Sequence, residues 1–164
     1  MIKLLVLDVD GVLTDGGIIY DDNGVEIKRF DVKDGLGIKL AQNAGLEIAV
    51  ISGRKSKVTE LRCRELGIRR CFTGVKNKVE CFESVRDELG VGYEETAFIG
   101  DDINDLALLK RVGFSATLSD SFDYIKSQVN YVTVRQGGRG AVREFIEKIL
   151  EKNGVWENIL KSFS

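Results

Sequence analysis

The sequence predicts an α/β fold, a Rossmann-like doubly wound parallel sheet with helices on both faces. Short apolar, β-rich segments alternate along the chain with segments of helical period, as they do when crossover helices join parallel strands. The first strand, KLLVL, is a continuous apolar run after its lysine, which is typical of a strand buried on both faces. No linker and no internal repeat interrupts this pattern, so we expect one domain over residues 1–164.

The N-terminal half contains a predicted hairpin and two further strands. The segments GIIY and VEIKRF flank the turn DDNG, and an Asn-Gly turn between β-rich runs predicts a hairpin over about 16–31. Asp34 is placed to cap a helix that reaches about Ala44. EIAVIS is a second buried strand that ends at Ser52, and a helix over about 55–66 leads to the short strand RRCFTG.

The C-terminal half continues the alternation of strands and helices. A helix near Lys78 has an apolar face formed by Val79, Phe82, Val85 and Leu89. TAFIG is the next strand, and a short helix and the strands GFSAT and YVTV follow it. A long helix over about 139–152 and a docking helix after Gly154 complete the predicted elements.

Composition narrows the class of protein. The formal net charge of −2 gives no electrostatic reason to expect nucleic-acid binding, and no apolar run approaches the length of a membrane span. The three cysteines lack the spacing of metal ligands and are interpreted as reduced thiols, so we expect a soluble cytoplasmic protein. The chain has no His, which excludes imidazole catalysis and leaves carboxylates, lysine, hydroxyls or cysteine.

Polar residues follow three of the predicted strands. Asp8 and Asp10 follow the first strand, Ser52 ends the second, and Asp101 and Asp102 follow TAFIG. In open parallel sheets, ligands bind at the carboxyl ends of the strands, where these side chains are expected to meet. Because burying acids brings no stability by itself, their presence at this edge indicates a functional site.

The acids indicate a divalent cation and a phosphate group. Several carboxylates in one crevice raise one another's pKa, and Mg²⁺, which prefers oxygen ligands, offsets this penalty; Mn²⁺ and Co²⁺ are alternatives. Ser52 and Lys78 can supply the hydroxyl and the cation that a phosphoryl group requires, and Gly11 and Gly53 can direct backbone N–H groups at its oxygens. Each residue alone is also consistent with a turn, a helix terminus or a surface charge, and only their conjunction indicates a site.

Four segments resemble, in order, the motifs of the haloacid dehalogenase superfamily of phosphotransferases: DVDGVLTD, ISGR, Lys78 and GDDINDL. The segments DVKDGLGIKL, RCRELGI and GGRGAVRE are similar to its cap-less phosphatases of 3-deoxy-D-manno-octulosonate 8-phosphate, which serve lipopolysaccharide synthesis. The resemblance implies a phosphomonoesterase of that type with the haloacid dehalogenase fold. Relatives that act on nonulosonate (sialic-acid-type) 9-phosphates give the alternative substrate class, and a smaller sugar phosphate also fits.

The resemblance also implies a role for each matched residue. Asp8 would be the nucleophile that forms an aspartyl-phosphate, and Asp10 would be the general acid and then the base. The implied metal ligands are the carboxylates of Asp8 and Asp101 and the carbonyl group of Asp10. Ser52 and Lys78 would hold the phosphoryl oxygens. The implied supporting residues are Gly11, Gly53, Asp102 and Asp105.

Cations are expected to bind the carboxylate that such sugar phosphates contain, and Arg54, next to Ser52 and Gly53, is best placed. The resemblance implies substrate contacts at Asp10, Asp31, Val32, Lys33, Asp34, Gly35, Lys39, Arg54, Arg62 and Lys78. In the resembling enzymes the end of the chain reaches a neighbour's site, and here Arg139 and Arg143 could do the same. The glycine-rich segment RQGGRG before that helix is expected not to form a rigid element.

The segments between the motifs are too short to form a cap domain, so the crevice would be open in a monomer. The predicted hairpin has apolar residues, Ile18, Tyr20, Val25 and Ile27, and an isolated two-stranded hairpin is marginally stable. The resembling family forms tetramers through such hairpins, which implies a homotetramer whose neighbouring subunits close the site. The alternative is a hairpin that folds onto its own domain.

Two other classes of protein remain as alternatives. A signalling receiver domain also gathers Mg²⁺-binding acids at strand ends, but it needs its phosphate-accepting Asp on a middle strand, where this chain has Ser52. A non-catalytic assembly module is the second alternative, and the full set of acids disfavours it. Turnover of a phosphomonoester would exclude both.

Overall fold

The computed structural model describes all 164 residues. In chain order the strands are β1 (Leu4–Leu7), β2 (Ile19–Tyr20), β3 (Glu26–Ile27), β4 (Glu47–Ile51), β5 (Arg70–Phe72), β6 (Thr96–Ile99), β7 (Phe114–Thr117) and β8 (Tyr131–Val132). Six of them form one parallel sheet in the order β5-β4-β1-β6-β7-β8, while β2 and β3 pair as an antiparallel hairpin. The predicted α/β class with a parallel sheet is confirmed, and strand β1 lies at its centre.

Seven α-helices connect and follow these strands: α1 (Val32–Asn43), α2 (Lys57–Glu65), α3 (Lys78–Leu89), α4 (Leu106–Leu109), α5 (Asp123–Lys126), α6 (Ala141–Lys152) and α7 (Trp156–Ser162). Two 3₁₀ turns, Tyr93–Glu95 and Ile103–Asp105, precede β6 and α4. None of the helices combines the length and the apolar character that crossing a bilayer requires.

The sheet separates two hydrophobic cores. Successive side chains of a strand point to opposite faces, so Leu5 and Leu7 of β1 lie in one core and Leu4 and Val6 in the other. Helices α1 and α6 contribute to the first core, and α3, α4 and α5 contribute to the second. All four strand residues are fully buried, which explains why the strand is apolar without alternation.

The predicted cap of the first helix is wrong. Helix α1 begins at Val32, and Asp31 caps it by accepting hydrogen bonds from the backbone N–H groups of Lys33 (2.7 Å) and Asp34 (3.2 Å). Asp34 lies inside the first turn and is buried, and its Oδ1 accepts a hydrogen bond from the backbone N–H of Arg143, at 2.9 Å. The side chain therefore joins α1 to α6.

The hairpin and the C-terminal helix pack differently. The apolar side chains of the hairpin are 45% to 61% exposed, so the domain does not cover them; they are Ile18, Ile19, Tyr20, Val25 and Ile27. By contrast, Val155, Trp156 and Ile159 at the start of the tail helix pack against the core of their own chain.

Candidate active site

Three neighbouring strands end at one open cavity of about 310 Å³. Asp8 follows β1, Ser52 follows β4, and Asp101 follows β6 after one glycine. The residues that line the cavity are Asp8, Asp10, Gly16, Ile18, Ser52, Gly53, Arg54, Lys78, Asp101, Asp102 and Asn104. The fold thus brings together the strand-end residues that the sequence singled out, because the central three strands are parallel and in register.

Three carboxylates form a cluster in this cavity. One oxygen each of Asp8, Asp101 and Asp105 lies within 4.8 Å of the others. Asp105 is fully buried and already has protein donors, because its Oδ1 accepts from Lys78 Nζ (2.8 Å) and its Oδ2 from the backbone N–H of Asp101 (3.0 Å). Asp105 therefore orients Lys78 and the Asp101 loop, and Asp8 and Asp101 have the oxygens that can face a cation.

Burial is the main influence on the ionisation of these acids. It raises the pKa of Asp8 well above its usual range, and the charge of Asp105 adds to this effect. Burial likewise raises the pKa of Asp101 to about 7, with Asp105 again contributing. Burial disfavours the ammonium form of Lys78, but the carboxylates of Asp8 and Asp105 outweigh it and raise the lysine pKa.

The cluster fits a hard divalent cation. Mg²⁺ is held in proteins by one or two carboxylates together with substrate phosphate oxygens, which is the donor set that Asp8 and Asp101 provide beside the cavity. Three carboxylates share a single lysine here, and the charge of Asp105 adds to burial in raising the pKa of Asp8 and of Asp101. A bound cation would offset that charge and favour the ionised acids.

Gly11 has a different role from the one we expected. Its N–H donates a hydrogen bond to Thr14 Oγ1, at 3.2 Å, and is not free for a phosphate oxygen. A Cβ atom on Gly11 would lie 2.0 Å from Oδ2 of Asp101, and its φ of +83° is in the region that favours glycine. Gly11 thus leaves room for the Asp101 carboxylate, whereas the N–H of Gly53 has no acceptor in the chain and lines the cavity.

The hairpin contributes two residues that sequence reasoning missed. Lys28 Nζ contacts Asp10 Oδ1 and lies 3.5 Å from Oε1 of Glu26. Glu26 accepts further hydrogen bonds from Ser56 Oγ (2.9 Å) and from Arg54 Nη2 (2.7 Å). The only local signal was alternation: with a period of two, Glu26 and Lys28 lie on the strand face opposite Val25 and Ile27. This alternation does not separate a buried ion pair from a solvated one.

Several predicted substrate residues lie outside this cavity. Asp31, Asp34, Gly35 and Arg62 line a separate, much smaller cavity of about 10 Å³. Among the others, Val32 is 80% exposed, Lys33 lies at the surface, and Lys39 Nζ donates to the carbonyl oxygen of Glu65 at 3.4 Å. Their contact with substrate stays a prediction.

The glycine-rich segment after β8 is held against the loop that follows β1. The N–H of Gly138 donates to the carbonyl oxygen of Val12 at 3.0 Å, and a Cβ atom on Gly137 would lie 1.9 Å from the carbonyl oxygen of Gly11. No helix or strand forms over residues 135–140, as expected, and the glycines here serve the close approach of two backbones. Neither Arg139 nor Arg143 lines the cavity, and Arg143 Nε pairs with Glu147 at 2.6 Å.

The fold and these strand-end acids define a class of hydrolase. A profile of the haloacid dehalogenase-like hydrolases matches residues 31–113 of this chain, and the chain belongs to that family. It is 42% identical over 153 residues to the 3-deoxy-D-manno-octulosonate 8-phosphate phosphatase KdsC of Escherichia coli K12, covering 93% of this chain and 81% of that protein. The predicted family is confirmed, and membership of a hydrolase family sets the receiver-domain alternative aside.

Solved structures of similar enzymes superpose closely on this chain. The 3-deoxy-D-manno-octulosonate 8-phosphate phosphatase of Moraxella catarrhalis, in complex with magnesium, phosphate and KDO, is 36% identical, with a TM-score of 0.96 over 99% of this chain and 94% of that one. The cobalt-bound phosphatase of Haemophilus influenzae is 42% identical, with a TM-score of 0.91 over 94% of this chain and 91% of that one.

Proposed function

We propose that this protein is a Mg²⁺-dependent phosphatase that hydrolyses 3-deoxy-D-manno-octulosonate 8-phosphate to the free sugar acid and phosphate, a step that serves lipopolysaccharide precursor synthesis. The observation that supports it most is the convergence of Asp8, Asp10, Lys78 and Asp101 on one cavity, in a chain 42% identical to phosphatases of that name. Mn²⁺ or Co²⁺ would replace Mg²⁺ without a change in the protein ligands.

Asp8 and Asp10 would divide the chemistry between them. A carboxylate oxygen of Asp8 attacks phosphorus, and the bond from phosphorus to the sugar oxygen breaks as Asp10 gives that oxygen a proton. Asp10 then takes a proton from water, whose oxygen attacks the phosphorus of the aspartyl-phosphate. This second step releases phosphate and restores Asp8.

The remaining cavity residues would hold the phosphoryl group in place. The donors are the hydroxyl of Ser52 and the free N–H of Gly53, which follow β4, and the ammonium of Lys78 at the start of α3. A cation bound by the carboxylates of Asp8 and Asp101 and the carbonyl group of Asp10 would add positive charge opposite the phosphoryl oxygens. Together these donors favour attack in line with the leaving oxygen.

Substrate recognition would begin at Arg54, whose guanidinium group lines the cavity. It is held by Glu26 at 2.7 Å and by Tyr20 Oη at 3.2 Å, which fixes its direction before a sugar carboxylate arrives. The same proposal includes the substrate contacts predicted for residues 31–35, Lys39 and Arg62, and the contact with a neighbour's site predicted for Arg139 and Arg143.

A homotetramer formed through the hairpins, in the cytoplasm, completes the proposal. Exposed apolar side chains on the hairpin and the open cavity beside it are the features that support assembly. Neighbouring subunits would cover the cavity and exclude water from it. Light scattering coupled to size-exclusion chromatography tests this, and a species of the 18.2 kDa chain alone would contradict it.

The function is tested by the release of phosphate from three substrates assayed side by side with Mg²⁺. These are octulosonate 8-phosphate, a nonulosonate 9-phosphate and a smaller sugar phosphate. We expect the highest kcat/KM on the first, and no turnover by Asp8→Asn. Asp22→Asn, on the exposed hairpin turn, is the matched control. A higher kcat/KM on the nonulosonate 9-phosphate would make that compound the proposed substrate instead. Unchanged turnover by Asp8→Asn would reject the mechanism.

A further inference from the structure

We propose that Lys28 is a positioning residue for the general acid. Its ammonium group holds the Asp10 carboxyl group in the direction from which Asp10 protonates the leaving oxygen. The inference rests on the phosphatase function proposed above, and it assigns a catalytic consequence to a hairpin residue outside the motifs.

The first support is the burial of the Lys28 side chain. Lysine on a two-stranded hairpin normally extends into water, yet this side chain is only 3% exposed. Burying an ammonium group is costly unless it is paired, and here it contacts Asp10 and faces Glu26 at 3.5 Å. Its position is therefore determined by two carboxylates, one of which is the proposed acid.

The second support is that Glu26 is itself anchored. Its Oε1 accepts from Ser56 Oγ at 2.9 Å, and its Oε2 from Arg54 Nη2 at 2.7 Å. Ser56 is buried and caps α2 by accepting from the backbone N–H of Thr59. The start of α2 thus fixes Glu26, and Glu26 in turn fixes the ammonium group of Lys28. Lys28 therefore restrains the Asp10 carboxyl group instead of moving with it.

The third support is a parallel with Lys78. That lysine is shared between Asp8 and Asp105, as Lys28 is shared between Asp10 and Glu26. Each carboxylate of the Asp-Val-Asp pair therefore has its own buried lysine, braced by a second acid. The contact of Lys28 is with Oδ1 of Asp10, which leaves Oδ2 for the proton that moves to the leaving group.

Positioning of a general acid predicts a dependence on the leaving group. A nitrophenolate departs without a proton, whereas a more basic oxygen needs one in the transition state. Removing Lys28 should therefore slow phenyl phosphate much more than 4-nitrophenyl phosphate. Because both substrates contain the same ring and no sugar, any loss of sugar contacts or of a neighbouring subunit affects them equally.

The experiment compares kcat/KM for these two substrates with saturating Mg²⁺ in the wild type and in Lys28→Met, Lys28→Arg and Arg29→Met. Lys28→Met should lose about 10²-fold on phenyl phosphate and only a few-fold on 4-nitrophenyl phosphate, in the range expected for general acid catalysis. Lys28→Arg should recover most of the loss. Arg29→Met removes a neighbouring hairpin ion pair, with Asp15 at 2.8 Å, and should keep the wild-type ratio.

Two results would overturn the proposal: an equal loss on both substrates, which indicates a purely structural lysine, or no loss on either. Asp10→Asn supplies the reference, since it should show the selective loss in full. A failure of the phosphatase function itself looks different, because the wild type would then hydrolyse neither ester or Asp8→Asn would keep its activity.

Discussion

The Nζ atom of Lys78 lies 2.9 Å from Oδ1 of Asp8, at the end of the central strand. The same ammonium is 2.8 Å from Oδ1 of Asp105, and all three side chains are almost completely buried. The carboxylate proposed as the nucleophile is therefore held by the ammonium group of Lys78, which is itself held by Asp105. A lysine in this position can transfer its contact from the carboxylate to a phosphoryl oxygen without moving far.

Replacing Lys78 by Met should abolish turnover and also destabilise the fold. The change leaves Asp8 and Asp105 buried without their shared cation, and breaking a buried pair costs about 3–5 kcal/mol. Urea unfolding in EDTA measures this loss. The exposed Lys76, two residues earlier, gives the matched variant Lys76→Met, which should stay close to the wild type. Wild-type stability in Lys78→Met would contradict the burial argument.

Magnesium should stabilise the folded protein through Asp101. A cation that binds only the native state adds about 2.7 kcal/mol by mass action at a hundred times its Kd, and the acidic cluster is where we expect it to bind. Thermal unfolding with and without Mg²⁺ measures this gain, and chelation should remove both the gain and the activity. Asp101→Asn should lose most of the Mg²⁺-dependent shift, and Asp22→Asn should keep it. A shift that survives in Asp101→Asn would place the cation elsewhere.

Gly11→Ala should disable the site more than it weakens the fold. Its Cβ atom would lie 2.0 Å from Oδ2 of Asp101, so the carboxylate has to move. Gly24→Ala is matched to it, since its φ is +76° against +83° and nothing lies within 4 Å of its Cβ. Both should lose about 1 kcal/mol of stability from the positive φ. Only Gly11→Ala should also lose Mg²⁺ affinity and turnover, and equal activity of the two variants would refute this account.

Asp34 should make stability depend on pH. Burial raises its pKa to about 6, although the N–H of Arg143 opposes the rise, and its Oδ2 has no partner. Because the folded pKa is above the unfolded one, the folded state favours the protonated acid. That contribution is fully present below about pH 4 and is lost as pH rises through about 6.

The comparison of the wild type with Asp34→Asn isolates this group. Between pH 7.5 and pH 4.5 the difference in unfolding free energy should move by about 2 kcal/mol in favour of the wild type. Asp22→Asn should follow the wild type at every pH. A constant difference between the wild type and Asp34→Asn would show that Asp34 is ionised in the folded protein throughout.

The strand ends were the predictable part of the site. Leu4 to Leu7 is apolar because both faces of β1 are covered, so the change to Asp8 marks the end of the strand in the sequence itself. The same change from apolar to polar residues marks the strand ends at Ser52 and Asp101. That both of these strands neighbour β1 follows from the sheet order, which only the structure shows. Local patterns determine these positions, which is why sequence reasoning found them.

Contacts between distant segments were not predictable in the same way. Lys28 is eighteen positions from Asp10, and nothing local distinguishes it from a solvated hairpin lysine. Asp34 is a plausible cap by residue type, but Asp31, three residues earlier, is equally suitable and is the residue that caps α1. The steric reason for Gly11 depends on where Asp101 points, and only the folded chain shows that.

The contact between Gly137 and the carbonyl oxygen of Gly11 has a consequence for how this chain can be altered. No residue beyond Asn104 lines the cavity, yet the backbone near the far end of the chain forms a wall behind the loop that follows β1. A chain truncated before Gly137 would retain the four motifs. It would lose the backbone against which the loop after β1 packs. Any side chain larger than hydrogen at position 137 or 138 would therefore collide with the main chain of that loop, although neither residue lines the cavity.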